Sequence, residues 1–539
     1  MEEKNLLYPT STANQSFKTI CPYCSVGCTL EIDINNGLVS QVKGISGLIN
    51  PDGYSCQYGN QGFRFMNDPN RLTQPLLRKK DGFEPVSWEE AFSMIEGKLK
   101  EGKPEEKAFF AGARLTNEEQ YLVQKLARAG VRTNNIGSFH YLGRGSNYTK
   151  LSRANLPFAE MVEVNRAFLI GAGISENNAM VGEFIRENRT KNGLKVDLLT
   201  SERNKPDQQF ADNALYIKSY YHFVKAVNHY LLANNLENEA FIRDLIDNFS
   251  EYREQLMKES WTELVEASGV ENPEKIIQFA IDYNLEKRAV IIFSEETLSG
   301  HTCAEIFNLA CITGKHGKAG SGLMLLKEKN NAHGLHDMGI MSHLGPGATD
   351  WNDPFQRGTF EFNWGVKELP AEKGCTLHGM REGSFRQLFI FGEDPIGCAI
   401  NHEDVKKMFA DKNFIVVQDY FMTDTAAMAD LVLPATMAFE TGGTYTNTQR
   451  VIQKIDRRIQ SPVEVVSWKQ LDTLLNRFGY EFFETVDDVT LEVVSLLPKF
   501  CTSSKLMLRI TKEDNFNPMF SHGCDYLSKR FETGFPEKL

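Results

Sequence analysis

Short, almost unbroken apolar runs recur along this chain and are separated by amphipathic stretches. Each run is four or five residues long, as expected for a strand of a parallel sheet whose two faces are both covered by helices. Strands that alternate with helices are typical of α/β domains. The predicted strands are Ala108–Ala111, Phe168–Gly171, Ala289–Phe293, Leu388–Phe391 and Phe414–Val417.

Two capping boxes mark the starts of predicted helices between these runs. Ser87 is followed three residues later by Glu90, and apolar residues then recur on one helical face. Thr116 and Glu119 form the second box. We expect Gly130 to end that second helix, because glycine readily takes the left-handed conformation found just beyond a helix.

Length and charge narrow the classes of protein. The chain has 539 residues, too many for a single hydrophobic core, so roughly two to four domains are expected. A formal charge of −12 argues against a nucleic-acid surface, which needs basic residues to replace phosphate counterions. The sequence contains no run of about 20 apolar residues and no secretion signal, so we expect a cytoplasmic protein without a membrane span.

Four cysteines near the N-terminus form a candidate metal site. Cys21, Cys24 and Cys28 are closely spaced, and Cys56 follows after a long interval. A tight triple with a distant fourth thiolate suits one [4Fe–4S] cluster, whereas structural zinc more often uses two paired Cys-x2-Cys knuckles and is the alternative. The other cysteines show no paired spacing, and we expect them to be buried reduced thiols.

Loops rich in glycine and small polar residues follow three of the predicted strands. They are Gly171–Asn177, Gly392–Pro395 and Gln418–Asp419. In open parallel sheets, ligands bind beyond the carboxyl ends of the strands. One glycine-rich turn is weak evidence, but three such loops together favour a nucleotide-like ligand. For Asp394 and Asp419 the alternative is a role as helix N-caps.

Several motifs together carry a resemblance to a known family. The chain resembles the molybdopterin-dependent oxidoreductases, above all the catalytic subunit of formate dehydrogenases, and it is also similar to the large iron–sulfur subunit of NADH:quinone oxidoreductase. The resemblance extends over roughly residues 18–480. Besides the four cysteines, the matching segments are Asn70–Arg78, Ser87–Ala91, Leu309–Gly322, Asn330–Gly339, Gly392–Pro395, Ala429–Pro434 and Glu440–Asn447.

The resemblance implies an architecture. A small N-terminal [4Fe–4S] domain would be followed by two interleaved doubly wound α/β domains, without the family's C-terminal barrel domain. The implied segments are 1–77 for the iron–sulfur domain, with part of 436–470; 78–133 plus 330–435 for one α/β domain; 134–329 for the inserted α/β domain; and 471–539 for a C-terminal segment that is mainly helical or irregular.

The resemblance also implies cofactors. Besides one [4Fe–4S] cluster, a bis-molybdopterin guanine dinucleotide with molybdenum or tungsten would lie in the crevice between the two α/β domains. The residues implied to line that crevice are Gly171, Gly173, Asn331, Gly334, Gly392, Asp394, Gln418, Asp419, Thr444 and Asn447.

Departures from the family pattern concern the metal and the substrate. The positions that hold a metal-binding cysteine or selenocysteine and then a histidine in formate dehydrogenases fall on Gly143 and Arg144. Glycine has no side chain with which to bind a metal. The family's substrate-binding arginine falls on Lys327, which keeps the charge but cannot grip a carboxylate with two parallel hydrogen bonds. Formate chemistry of the usual kind is therefore not expected.

Further departures concern the dinucleotides and the path between cluster and pterin. The family's Asp-Pro-Arg reads Thr200–Glu202 here, and its Pro-Gly-Thr-Asp reads about Lys218–Tyr221. These changes put at least one of the two dinucleotides in question. Tyr58 stands where catalytic relatives place a basic residue between cluster and pterin.

Three functional hypotheses follow. The first is an electron-transfer subunit of a cytoplasmic oxidoreductase complex, whose partner subunits carry flavin or further iron–sulfur clusters. The second is an active molybdenum or tungsten enzyme with Ser138 or Ser146 as metal ligand, or with only pterin sulfurs and solvent on the metal, in which Arg144, Lys327 and His333 hold a small anionic substrate. The third is a non-redox scaffold with a vestigial cluster. For His140, His333 and His336, a purely structural role is the alternative to a functional one.

Overall fold

Two mostly parallel sheets, each flanked by helices, form the bulk of the protein. The computed structural model describes residues 15–36, 38–141, 155–203, 205–375, 377–497, 505–513, 519–521 and 524–533. The strands are β1 Gln15–Ile20, β2 Thr29–Asn35, β3 Leu38–Gly44, β4 Leu76–Lys79, β5 Gly82–Pro85, β6 Lys107–Ala111, β7 Ile136–Gly137, β8 Arg166–Ile170, β9 Lys195–Thr200, β10 Asn213–Tyr216, β11 Ala289–Ser294, β12 Gly322–Leu326, β13 Leu344–Gly345, β14 Thr349–Asp350, β15 Gln387–Phe391, β16 Phe414–Asp419, β17 Leu431–Pro434, β18 Gly443–Thr446 and β19 Ile452–Ile455.

The helices lie mainly between these strands, and the five predicted strands are confirmed as β6, β8, β11, β15 and β16. The helices are α1 Gln57–Gln61, α2 Trp88–Lys100, α3 Asn117–Lys125, α4 Ile174–Asn177, α5 Ala179–Asn192, α6 Tyr220–Ala233, α7 Glu239–Leu245, α8 Phe249–Met257, α9 Trp261–Ser268, α10 Glu274–Leu285, α11 Gly300–Ile312, α12 Ala332–Asp337, α13 Pro354–Asn363, α14 Leu377–Arg381, α15 His402–Phe409, α16 Ala438–Thr441, α17 Ser467–Asn476, α18 Val486–Leu496 and α19 Tyr526–Thr533.

Side-chain hydrogen bonds cap the starts of both predicted helices. The hydroxyl of Ser87 accepts a hydrogen bond from the Glu90 amide at 3.2 Å. Thr116 and Glu119 cap each other reciprocally. The expectation that Gly130 ends the second helix was wrong, because α3 continues as a π-helical segment, Leu126–Val131, and ends at Arg132 with φ 68°.

The larger sheet has the strand order β5-β4-β17-β16-β15-β6-β7. Strands β17, β16, β15, β6 and β7 are parallel, and β4 and β5 add an antiparallel edge. The second sheet, β10-β9-β8-β11-β12, is parallel throughout. Every residue of β6, β11, β12, β15 and β16 is buried, as expected for strands covered on both faces. The α/β prediction is confirmed.

Strands β1, β2 and β3 form a small antiparallel sheet of their own. Inward-facing Leu30, Ile32 and Ile34 alternate along β2, so this sheet buries one face. That face joins the same apolar core as Leu169 of β8 and Ile292 of β11. The small sheet is therefore fixed against the second α/β sheet by continuous packing. Among the described residues, the helices are too short or too polar to cross a membrane.

Candidate functional site

The turn between β1 and β2 carries three of the four predicted cluster cysteines. The amide of Cys21 donates to the carbonyl of Cys28 at 2.8 Å, which closes the turn. Cys56 lies directly before α1. All four thiols are free, and they share one apolar core. Cys28 and Cys56, which are 28 residues apart in sequence, are thereby brought together around one site.

Burial makes the thiols of Cys21, Cys24 and Cys28 hard to ionise in the absence of a metal centre. Burial first, and then the proximity of the other cysteines, raises the pKa of Cys21 and of Cys28 well above the usual value. Burial and the neighbouring Cys56 raise the pKa of Cys24 to about 12. Iron ligation offsets this cost, because a coordinating thiol is deprotonated by the metal.

The four cysteines are the donor set that a [4Fe–4S] cluster requires, because a cubane needs four thiolates that each bind a different iron. In the described part of the chain, no group of three His, Cys, Asp or Glu side chains is arranged to hold one metal ion.

Side chains from distant segments hold the cysteine turn in place. The hydroxyl of Ser25 accepts from the Lys327 amide at 3.0 Å, and the amide of Thr448 donates to the Ser25 carbonyl at 2.7 Å. The Gln453 amide group donates to the carbonyl of Gly27 at 2.8 Å. Asn330 donates to the carbonyl of Cys21 at 2.6 Å. The turn therefore depends on the loop after β12 and on the β18–β19 hairpin.

A buried ion pair occupies the crevice near Lys327. The Lys327 ammonium lies 2.6 Å from a Glu295 carboxylate oxygen and 3.1 Å from the Tyr141 hydroxyl. Tyr141 also donates to Glu295, at 2.8 Å. Burial would raise the pKa of Glu295, but the Lys327 charge and His140 outweigh it and hold that pKa well below the usual range. Lys327 is thus already paired with an internal carboxylate.

Three histidines surround this ion pair. The Nε2 atom of His140 is 4.0 Å from Glu295, and its Nδ1 atom is 3.8 Å from Glu328. The rings of His336 and Tyr141 are 4.6 Å apart between centroids. Burial, reinforced by the Lys327 charge, holds the pKa of His333 and of His336 well below the usual value. Both rings are therefore neutral at neutral pH.

The loops after β15 and β16 bring three predicted residues to one sheet edge. Phe391 pairs with Gln418 in the register of these parallel strands, so Asp394 and Asp419 follow side by side. One oxygen of Asp394 accepts from the Thr425 amide and hydroxyl and from the Gly397 amide. This oxygen therefore orders the turns that follow, but Asp394 is not a helix N-cap, because the next helix, α15, is capped by Asn401.

Polar atoms at this same edge lack partners among the described residues. The other oxygen of Asp394 and the side-chain oxygen of Gln418 are buried without a hydrogen bond there. Burial, with a contribution from Asp394, raises the pKa of Asp419 to about 8. Buried acceptors and a protonated carboxyl are costly unless a ligand satisfies them. This edge fits a polar ligand such as a guanine base.

Backbone amides of the loop after β8 donate hydrogen bonds to a carboxylate of the protein itself. Gly171 and Gly173 take positive φ values of 52° and 60°, which places the amides of Ile174 and Ser175 together. The Asp207 carboxylate accepts from both amides, at 3.1 and 2.8 Å. An anionic phosphate would have to displace this carboxylate, so the loop does not fit a second dinucleotide as it stands.

The remaining predicted crevice residues have structural contacts. Asn331 donates to the Leu115 carbonyl at 2.8 Å and accepts from the Thr446 amide at 2.7 Å. A Cβ atom on Gly334 would lie 2.3 Å from the Asn117 oxygen.

Thr444 and Asn447 are likewise engaged within the protein. The hydroxyl of Thr444 donates to Glu118 at 2.8 Å. The amide oxygen of Asn447 accepts from the amides of Gln449 and Val451. Both residues order the loop that reaches the cysteine turn.

Ser138 and Ser146 are the alternative metal ligands, and Gly143 and Arg144 take the positions of the family's metal-binding cysteine and the histidine after it. Gly143, Arg144 and Ser146 lie outside the described residues. The hydroxyl of Ser138 donates to Glu393 at 2.6 Å, and Glu393 also accepts from the amides of Phe139 and His140. Ser138 therefore serves to anchor its loop to the end of β15.

Sequence reasoning missed several residues of the crevice. Glu295, Tyr141 and Glu393 were not predicted, although Glu295 and Glu393 each follow a predicted strand. The strand-end rule that selected Asp394 would also have selected these two glutamates. Asp207 carried no such signal, because its role depends on contact with Ser175, which is 32 residues away in sequence and donates to it at 2.8 Å.

The chain matches two family models and is similar to several named proteins. The Molybdopterin oxidoreductase Fe4S4 domain matches residues 14–68, and Molybdopterin oxidoreductase matches residues 71–477. The F420-dependent formate dehydrogenase subunit alpha of Methanocaldococcus jannaschii is 31% identical over 503 residues, which cover 89% of this chain and 73% of that protein. Formate dehydrogenase H of Escherichia coli is 29% identical over 511 residues, covering 89% and 71%.

A solved structure has the same fold. Acetylene hydratase from Pelobacter acetylenicus matches with a TM-score of 0.67 at 18% identity, over 86% of this chain and 69% of that chain. At this identity the likeness concerns the fold alone. The family matches support a [4Fe–4S] cluster and a molybdopterin cofactor.

Replacing Gly27 with alanine should weaken cluster binding. A Cβ atom there would lie 2.2 Å from the Gln453 side-chain oxygen, so the Gln453 side chain, which donates to the Gly27 carbonyl, must move. Gly27 also has φ 72°, where a non-glycine residue costs about 1–3 kcal/mol. Iron content of the anaerobically purified protein is the measurement. Gly193→Ala is the matched control, since Gly193 has φ 69° with nothing within 4 Å. Four irons retained in both variants would contradict this account of the turn.

Asp419 should make the stability of the cofactor-free protein fall as pH rises. Its pKa is about 8 in the folded state and about 4 in the unfolded state, so between these values the folded state binds more protons. Unfolding free energy is therefore lost across this window, by about 1.4 kcal/mol per pH unit at most. Thermal unfolding of wild type and Asp419→Asn from pH 4 to pH 9 measures this. The advantage of Asp419→Asn should grow up to about pH 8, and parallel curves would refute the assignment.

Proposed function

The chain belongs to the molybdopterin oxidoreductase family, and on that premise we propose that it is the iron–sulfur electron-transfer subunit of a formate dehydrogenase-like oxidoreductase complex. Its buried four-cysteine site supports the electron-transfer role, since one-electron transfer is the chemistry that a [4Fe–4S] cluster supplies when bound. The assignment of the cluster rests on the family match and on the arrangement of the thiols.

The pairing of Lys327 is the observation that carries the proposal. A cation that recognises a small anionic substrate must have its charge available to that substrate. The Lys327 ammonium is instead fully buried and held by Glu295 at 2.6 Å. Two other buried cations of the crevice are also paired, Lys329 with Glu328 at 3.3 Å and Arg114 with Asp525. An additional anion in this network would meet carboxylates already in place.

Partner subunits are part of the proposal. The relatives from Methanocaldococcus jannaschii and Methanococcus maripaludis are named as alpha subunits of F420-dependent formate dehydrogenases. A subunit that carries electrons through one cluster needs a donor and an acceptor nearby. We therefore infer a complex whose other subunits carry flavin or further iron–sulfur clusters and exchange electrons with this chain.

An active molybdenum or tungsten oxidoreductase is the second candidate function. The observation that favours it is the pair of buried acceptors on Asp394 and Gln418, which suit a guanine base of the pterin cofactor. In that case the neutral, buried His333 and His336 would line the crevice and exclude water from it. The substrate would then be a molecule other than formate, because Lys327 is engaged by Glu295.

Elemental analysis of the anaerobically purified protein separates the two candidates. We expect about four irons per chain without stoichiometric molybdenum or tungsten, together with a reduced-cluster signal in electron paramagnetic resonance and no formate oxidation. Stoichiometric molybdenum or tungsten would favour the second candidate. A protein without iron would contradict both and would support a scaffold role.

The ion pair at Lys327 should be structural. Lys327→Met leaves Glu295 buried without its partner and is expected to cost about 3–5 kcal/mol of unfolding free energy. The double variant Lys327→Met/Glu295→Gln removes both charges and should recover most of that loss. Thermal unfolding measures both, with Lys98→Met as control because the Lys98–Glu101 pair is exposed and is worth about 1 kcal/mol or less.

The same variants test the electron-transfer role. If Lys327 only neutralises Glu295, the double variant should retain the cluster and its rate of reduction by an artificial one-electron donor. A folded double variant that keeps its cluster but loses a measurable formate-oxidising activity of the wild type would instead identify Lys327 as a substrate-binding residue.

A further inference from the structure

A polar pocket opens beside one of the cluster cysteines. Its empty volume is about 400 Å³, and its walls come from the cysteine turn, the loop after β12 and the C-terminal helix α19. The lining residues are Tyr23, Cys24, Tyr58, Asn177, Glu296, Glu328, Lys329 and Ser528. Of these residues Lys329 is the one cation. The Lys329 ammonium and the Cys24 thiol thus line the same pocket.

Burial and two contacts hold the Lys329 side chain in this pocket. It is 5% exposed, its ammonium donates to the Ser528 hydroxyl at 2.8 Å, and it lies 3.3 Å from a Glu328 carboxylate oxygen. Ser528 is itself placed by Arg114, whose guanidinium donates to the same hydroxyl at 3.1 Å. The cation therefore has one defined position and does not extend into solvent.

The charge of Lys329 reaches the cysteine site. The Lys329 ammonium and the Cys24 thiol line the same pocket, and the Lys329 side chain is buried. A buried cation in this position favours negative charge at the cysteine site, because the local dielectric is low.

We propose that Lys329 is a positioning residue that sets the reduction potential of the cluster bound by Cys21, Cys24, Cys28 and Cys56. The inference rests on the proposed electron-transfer function. Reduction adds one electron, and so one negative charge, to a cluster that four thiolates already make anionic. A fixed cation nearby stabilises the reduced form more than the oxidised form, and burial strengthens this effect because the local dielectric is low.

Glu328 should act with the opposite sign. It lies 3.3 Å from Lys329 and 3.8 Å from His140, so its carboxylate partly offsets the ammonium. Removing the cation leaves this carboxylate uncompensated, and both changes disfavour reduction. Removing the carboxylate alone exposes the full charge of the cation and favours reduction. Two adjacent side chains are thus expected to shift the potential in opposite directions.

A redox titration of the anaerobic protein at fixed pH, followed by electron paramagnetic resonance of the reduced cluster, tests the proposal. Dithionite supplies the electron. Lys329→Met should lower the equilibrium constant for reduction at least about tenfold, equivalent to about 59 mV for one electron. Lys329→Arg should stay within about threefold of wild type, since it keeps the charge, and Glu328→Gln should shift the potential upward.

Charge-matched controls separate electrostatics from damage to the fold. The double variant Lys329→Met/Glu328→Gln removes both charges and should lie between the two single variants, even if Lys329→Met alone assembles poorly. Lys406→Met, on exposed helix α15, should leave the potential unchanged. Ser528→Ala should shift it in the direction of Lys329→Met but by less, because only the anchoring hydrogen bond is lost.

The outcomes distinguish this inference from the proposed function. Four irons per chain with a potential that Lys329→Met and Glu328→Gln leave unchanged would overturn the role of Lys329 while the cluster assignment stands. Shifts of the two single variants in the same direction would also overturn it. A wild-type protein that contains no iron would instead overturn the proposed function.

Discussion

The rest of the site depends on the hydrogen bonds by which distant segments hold the turn Cys21–Cys28 in place. Lys327, Asn330, Thr448 and Gln453 all hydrogen-bond to this turn, and they come from the loop after β12 and from the region around the β18–β19 hairpin. An eight-residue turn with three cysteines has little core of its own. Its conformation is therefore determined by the loop after β12 and by the region around the β18–β19 hairpin, and cluster binding is coupled to the folding of these segments through the hydrogen bonds.

Charge pairing is the second constraint, and it explains the composition of the crevice. Several charged groups are buried there, which is tolerated only when each has a partner. Lys327 with Glu295, Lys329 with Glu328 and Arg114 with Asp525 meet that requirement. The histidines meet it differently, because burial and the Lys327 charge keep them neutral. Each of these three buried cations is thus paired with a carboxylate, and this pairing is what supports the proposed electron-transfer role.

The two halves of the crevice differ in whether the polar groups of their loops have hydrogen-bond partners within the described protein. After β15 and β16, buried oxygens of Asp394 and Gln418 remain without partners among the described residues. After β8, the Asp207 carboxylate occupies the amides that a phosphate would take. The changes at Thr200–Glu202 and Lys218–Tyr221 fall in the half that contains β8. Sequence drift and internal hydrogen bonding therefore agree that the two halves are not equivalent.

The sequence by itself determined the α/β class, the five buried strands, the helix caps at Ser87 and Thr116 and the four cysteines, because these features follow from local periodicity and from the chemistry of residue types at fixed spacing. It also located the strand-end loops of Asp394 and Asp419. Only the tertiary structure decided that Arg132 ends the helix predicted to stop at Gly130, that Glu295 neutralises Lys327 and that Asp207 fills the loop after β8. The reason is physical: a buried charge or a free amide takes whichever partner the packing of distant segments brings within hydrogen-bond distance, and sequence spacing carries no information about that partner.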